Sequence, residues 1–522
     1  MLKVDILSAT RYFLFFTVLL LLFACKKEPK PAPNPVPPTT SRIELTKDSI
    51  FLYAKEVYLW NDVIPTYDQF KPRNYLTYSR ELFGITQLKI NPETGKPYEF
   101  TSDTATATSK YSYITEKTPK KVVASAPFTI SAVTLDGIGD DFGVGLTAVG
   151  LNTAYDLYIR YVNQGSPADK AGLKRGDIVT RINNRSFGTD YPNEVGFINS
   201  AFNQQTISLV AKRANGQTFD LQLNRTIYNS SPIFKDSVLT VGAKKIGYIA
   251  FARFSNSSNS EPVLLEAFSK FAAAGVTDVV VDLRYNGGGY VTTAQYLANL
   301  IAPAAMTGQV MFSEYYNSNM QGGKAPILKN QPLLDGSGNI RYSNGRMLTY
   351  ADVDYSISGN TMKFSKVGSL EGISNVVFIT TGGTASASEM VINSLKPYLN
   401  VKTVGARSYG KPVGFFPISI DKYDVYFSLF QTKNKLGQGE YFNGFAPDGA
   451  AKDDVSRDFG DANELSLASA ISYITKGSFV MMQNALMSVK GVKMNAASVQ
   501  LQNIGGQNDF KGMIETRVRL KN

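Results

Sequence analysis

Asn375-Val376-Val377-Phe378-Ile379-Thr380-Thr381-Gly382-Gly383-Thr384-Ala385-Ser386-Ala387-Ser388-Glu389-Met390 reads as a buried strand, a tight glycine turn and the start of a helix. A short apolar run closed by paired glycines fits a strand covered on both faces. A serine at such a turn presents its hydroxyl beside the amides of a helix N-terminus, which stabilise developing negative charge. The same residues also fit a plainer role, because Ser386 with Glu389 three positions on is a capping box. The chain contains no histidine. A serine nucleophile here needs another base, since imidazole takes the hydroxyl proton in the usual arrangement.

Lys411 lies 25 residues beyond Ser386, in Arg407-Ser408-Tyr409-Gly410-Lys411-Pro412-Val413-Gly414, between two expected strands. A lysine acts as a base only when neutral, so burial must lower its pKa. Taken alone it reads as a surface loop lysine. Ser408 and Lys411 formally match the Ser-x-x-Lys pattern of penicillin-binding enzymes. That pattern belongs on a helix, and Gly410 and Pro412 oppose one. A third segment, Val279-Val280-Val281-Asp282-Leu283-Arg284-Tyr285-Asn286-Gly287-Gly288-Gly289-Tyr290, places three glycines after a buried strand. They permit close backbone approach to a ligand and offer a second oxyanion donor. The Lys-Ser/Thr ending of a phosphate-binding loop is missing.

Around these segments strands and helices alternate. Lys245 to Phe251, Val276 to Leu283 and Asn375 to Thr380 read as strands; Glu261 to Ala274, Tyr290 to Ile301 and Ser386 to Leu395 read as helices. This is an α/β layer pattern. Thr403 to Gly405 and Tyr423 to Thr432 supply further strands, and Ala302 to Leu370 interrupts with turn-rich, hairpin-like sequence. Upstream, Gly165-Ser166-Pro167-Ala168-Asp169-Lys170-Ala171-Gly172-Leu173-Lys174-Arg175-Gly176-Asp177-Ile178 closely resembles a PDZ domain. Ser166 caps a short helix with Pro167 at its first position, Gly172 ends it, and Gly176-Asp177 turns into a strand.

The expected organisation is a leader at 1–24, a Pro-rich tether at 25–42, a small helical domain at 43–125, a PDZ-like domain at 126–228, a catalytic core at 229–460 and an extension at 461–522. In the helical domain Asp48 to Trp60 reads as an amphipathic helix, with Trp60 as a core anchor. Leu82 to Ile90 adds a helix or a strand. The extension opens with a helix-like run, Glu464 to Ile474.

The chain has 522 residues, 43% hydrophobic and 19% charged, which supports several packed domains. Its net charge of +11 is spread without a dense Lys/Arg stripe, so no nucleic-acid partner is expected. One cysteine and no histidine argue against a metal site, and no cofactor is expected. The cysteine, Cys25, follows an apolar run from Phe13 to Ala24 that is too short to span a bilayer but suits a signal peptide. Leu22-Phe23-Ala24-Cys25 is similar to a bacterial lipobox, which implies a lipid anchor on Cys25 and a place in the cell envelope, on the periplasmic face of the outer membrane or the cell surface.

Together, the PDZ-like segment, the Asp282–Gly289 loop, the Thr384–Glu389 turn, the spacing to Gly410-Lys411 and Ala446-Pro447-Asp448 resemble the C-terminal processing (tail-specific) serine peptidase family. The resemblance implies an α/β, ClpP/crotonase-like catalytic core with a PDZ-like β-rich domain and a small helical N-terminal domain. It implies a Ser-Lys dyad of Ser386 as nucleophile and Lys411 as general base. Ala387 and Gly288 would supply the oxyanion amides and Glu389 structural support. Phe142, Gly143, Val144, Gly145 and Leu146 would receive a peptide end, so the expected partners are polypeptides with free or disordered C-termini. Many members carry a glutamine four residues after the lysine; here that residue is Phe415. This departure sustains a second reading, a lipid-anchored PDZ module with a weak or dead peptidase fold. A Ser-Lys amidase or cell-wall hydrolase is a third.

Overall fold

Val279, Val280 and Val281 show how the core is laid out. All three are buried, but Val279 and Val281 face one hydrophobic cluster while Val280 faces another. A strand alternates its side chains, so a continuous apolar run requires cover on both faces. A computed structural model describes residues 37–101, 106–117, 133–335, 338–480, 486–495, 498–504 and 510–521. The leader, Cys25 and most of the tether lie outside the described residues.

The central sheet has six strands in the order Ile233–Val241, Lys244–Phe251, Asp278–Asp282, Asn375–Thr380, Asn400–Gly405 and Gly449–Ala450. The first pair is antiparallel and the remaining pairs are parallel. Helices Ser257–Ala274, Val291–Ile301 and Ala387–Leu395 cover one face through residues such as Leu264, Phe268, Leu297 and Val391. Helix Leu465–Lys476 covers the other through Leu467, Ala470, Ile471 and Ile474. This helix of the expected 461–522 extension thus packs on the central sheet.

The N-terminal helix runs from Arg42 to Val57, with Ser41 as its cap, and a second helix from Tyr78 to Thr86. Their buried residues join the same cluster as one face of the central sheet, so the described residues of 43–117 share that core. Trp60 stacks on Tyr98 at 4.6 Å. The expected strand Tyr423 to Thr432 is two strands in different sheets. Tyr423–Tyr426 pairs with Tyr113–Glu116, and Phe430–Asn434 pairs with Val310–Tyr316 from the 302–370 stretch.

The PDZ-like domain has its own core. Its sheet runs Thr218–Asn224, Thr206–Lys212, Ile178–Ile182, Ala154–Val162, Val144–Leu151 and then Gln500–Ile504. Ser166 caps helix Pro167–Lys170 by accepting from the Asp169 amide at 3.2 Å. Arg175, from the turn after that helix, reaches out of the domain. Its guanidinium pairs with Asp453 and donates to the Tyr285 hydroxyl. Asp453 also pairs with the buried Arg284, which in turn pairs with Asp282 and Glu464. This network fastens the PDZ-like domain to the loop that carries the three glycines.

Candidate active site

Strand Asn375–Thr380 delivers the chain to the serine turn, and the turn is pinned to the neighbouring glycine loop. Thr384 Oγ1 donates to Leu283 O at 2.7 Å, the Ala385 amide to Asn286 O at 3.1 Å, and Ser388 Oγ to Asn286 O at 3.0 Å. Ser386 adopts φ 60° and ψ −109°, a conformation that costs a non-glycine residue energy and is held only by its surroundings. It precedes helix Ala387–Leu395, but its hydroxyl makes no cap bond. Ser386 Oγ is buried and has no hydrogen-bond partner among the described residues. Buried hydroxyls are normally paired, so an orphaned one at a strained turn marks a position kept for something other than packing.

Glu389 binds the serine turn to the lysine loop. One carboxylate oxygen accepts from the Ser386 amide at 2.9 Å and from the Lys411 amide at 2.8 Å. The other accepts from Ser408 Oγ at 2.6 Å and from the Gly410 amide at 2.7 Å. The two backbones therefore meet on a single buried oxygen. Burial pushes the Glu389 carboxyl above its usual range, while these four bonds favour its charged form.

Lys411 is 1% exposed. Burial draws its pKa down to about 7. Glu99 and Glu389 oppose that shift, and Lys511 and Lys110 add to it. Its ammonium nitrogen lies 4.5 Å from the Phe415 ring centre. Phe415 thus supports the lysine with an aromatic face where the related pattern has an amide. The two hydrogen bonds of Nζ go to Tyr111 O at 3.3 Å and Lys511 O at 2.7 Å. Neither goes to Ser386 Oγ, so the hydrogen bond expected of a Ser-Lys dyad is not made in this state. Nζ is instead turned toward the two carbonyls, those of Tyr111 and Lys511.

The oxyanion expectation is met unevenly. The Ala387 amide is the first of its helix and has no partner within that helix. The Gly288 amide, by contrast, donates to Asn286 Oδ1 at 2.9 Å and is not open to a ligand. Its closeness to the serine turn is real: a Cβ on Gly288 would meet Ala387 N at 3.1 Å.

The peptide-end site is also changed. Gly143 has φ 83°, and its amide donates to Asp141 Oδ1 at 2.6 Å. Val144 to Leu146 pair with Ala154–Val162 on one side, while on the other side Leu146 faces Ile504. Phe142, Val144, Leu146 and Ile504 share one apolar core.

Sequence reasoning missed several supporting residues. Asn286 stood inside the quoted loop, and its polar side chain between a strand and three glycines was the available signal. Glu99 and Tyr111 carried none. Glu99 accepts from the Tyr111 and Ser112 amides and from the Tyr58 and Ser428 hydroxyls, which fixes the segment before strand Tyr113–Glu116 whose Tyr111 carbonyl meets Lys411. Among the described residues no group of histidine, cysteine or acidic side chains could hold a metal ion.

Residues 245–449 match Peptidase family S41, and residues 158–212 match the PDZ domain family. A Staphylococcus aureus protein named "Probable CtpA-like serine protease" is 25% identical over 278 residues, covering 53% of this chain and 46% of its own. A chloroplastic C-terminal processing peptidase of Tetradesmus obliquus is 24% identical over 283 residues, covering 51% of each. The chain spans about half the length of these curated relatives. A crystal structure of a Bacteroides fragilis protein described as an S41 protease superposes with a TM-score of 0.54 at 21% identity, covering 85% of this chain and all of the other. That likeness is one of fold. The chain carries a family S41 peptidase domain joined to a PDZ domain.

Proposed function

We propose that the chain is a serine endopeptidase that uses Ser386 and Lys411 to cleave unstructured or C-terminal polypeptide segments gathered by its PDZ domain. The observation that carries this reading is the shared Glu389 oxygen, which brings a strained serine and a buried lysine of lowered pKa to one place. Neutral Lys411 takes the proton from Ser386 Oγ as that oxygen attacks a peptide carbonyl. The Ala387 amide stabilises the resulting oxyanion, and the leaving amine receives the proton. Water activated by the same lysine then releases the acyl-enzyme. Asn286 would have to release the Gly288 amide for it to serve as second donor.

The unformed Ser386–Lys411 bond favours a second reading, a PDZ module whose peptidase domain is inactive. The two differ in whether Ser386 reacts. We further propose that Cys25 is lipidated and holds the chain at the cell envelope, on the strength of the apolar run and lipobox-like residues before it.

With β-casein as a disordered substrate, Ser386→Ala and Lys411→Ala should each abolish cleavage; full activity in either would remove the dyad. In the unaltered enzyme kcat/KM should climb about tenfold per pH unit below about 7, where Lys411 is charged, and level above it. A flat profile from pH 5 to 9 would exclude lysine as base. Glu389→Ala strands buried amides and should destabilise the fold by about 3 kcal/mol in urea unfolding; a loss under about 1 kcal/mol would show that the two loops hold together without it. Labelled palmitate should enter the chain expressed with its leader and disappear with Cys25→Ser; equal labelling of both would refute the anchor.

A further inference from the structure

Both places where a peptide should bind already hold one, and it belongs to this chain. Val144–Leu151 would be the edge of the PDZ sheet, the place where a ligand strand adds. Gln500–Ile504 lies along that edge, antiparallel, with Ile504 opposite Leu146 and Gln500 opposite Gly150. Ile504 is 1% exposed and packs into the domain's core beside Phe142 and Val144. This is the place of a captured peptide's apolar side chain.

The second occupied place is the slot between the glycine loop and the strand that follows Lys411. Gly512–Ile514 runs parallel to Gly288–Tyr290 on one side. On the other, the Phe415 amide donates to Met513 O at 3.0 Å and the Glu515 amide to Phe415 O at 3.2 Å. The Gly512 amide donates to Gly287 O at 3.0 Å. Gly512 O would lie 2.2 Å from a Cβ on Gly288, a point that is itself 3.1 Å from Ala387 N. A carbonyl of the segment therefore stands beside the oxyanion amide, and the preceding carbonyl, Lys511 O, accepts the proton donor of Lys411. A substrate carbonyl has no room there while the segment is in place.

We propose that the described stretches 500–504 and 510–521 act as an internal pseudosubstrate that blocks the PDZ edge and the catalytic slot until a peptide displaces it. The proposal rests on the reading of Ser386 and Lys411 as the catalytic pair. Displacement is feasible because a substrate strand can offer the same backbone bonds. It is resisted because a tethered segment competes at an effective concentration on the order of millimolar. Exposed disordered chains at high local concentration would then be cut, and folded proteins spared. The segment is further tied down where Arg517 pairs with Glu314 and the Asp354 amide donates to Arg519 O at 2.7 Å.

The test compares acylation of Ser386 by a fluorophosphonate in the full chain and in Ile504→Asp/Met513→Asp. The double variant should react at least tenfold faster, and a synthetic peptide of residues 498–516 should slow it again. Equal or slower acylation in a folded variant overturns the proposal. No acylation in either form counts instead against the catalytic reading. A second measurement needs no destabilising change. In Ser386→Ala, saturating β-casein should strip hydrogen-exchange protection from the Gly512 and Glu515 amides. Retained protection overturns the proposal even if the double variant fails to fold.

Discussion

The site depends on one buried carboxylate. The two oxygens of Glu389 are satisfied by three backbone amides and one serine hydroxyl, with no ion pair to it among the described residues. A charge in such a place is tolerable only because every donor is fixed in direction. That fixes two loops in turn. The serine turn cannot relax to an ordinary helix start, because the Ser386 amide is held to Oε2, and the lysine loop cannot swing to solvent, because Gly410 and Lys411 are held to the same group. The strain at Ser386 and the desolvation of Lys411 are both costs, and this group of bonds offsets them.

A second set of charges links the PDZ domain to the same place. Arg175 and Arg284 share Asp453, and Arg284 is buried between Asp282 and Glu464. Buried ion networks add little to net stability but are costly to break in part, so they fix geometry. Here they hold the PDZ domain against the Asp282–Gly289 loop. Gln500–Ile504 lies along the PDZ edge, and Gly512–Ile514 along the glycine loop.

Much of this was legible in the sequence because its signals are local. The run Asn375 to Thr380 announced a strand covered on both faces, and the Ser166-Pro167 cap and Gly172 announced the PDZ helix. The turn at Ser386 reads in the sequence as either cap or nucleophile; the fold makes the Glu389 half of the capping box and leaves the Ser386 hydroxyl unpaired with a positive φ, features not visible in residue types. The bond from the Gly288 amide to Asn286, two residues away, was not legible in the sequence. Tyr111 and Lys511, the partners of Lys411, lie some 300 and 100 residues from it along the chain, and only the folded arrangement brings them together. The segment after Ile474 could not be placed because two of its strands, Gln500–Ile504 and Gly512–Ile514, pair with edges far away in the sequence.

Burial draws the pKa of the Lys411 ammonium well below the ordinary lysine range against the opposing charges of Glu99 and Glu389, and the proposed role of Lys411 as base depends on that. This lowering is tested most directly by a carbon-13 NMR titration of lysine side chains in the full chain, with Lys411→Arg used to assign the Lys411 Cε resonance. That resonance should shift with a midpoint near pH 7. A midpoint near 10.5, the ordinary value for lysine, would contradict the account.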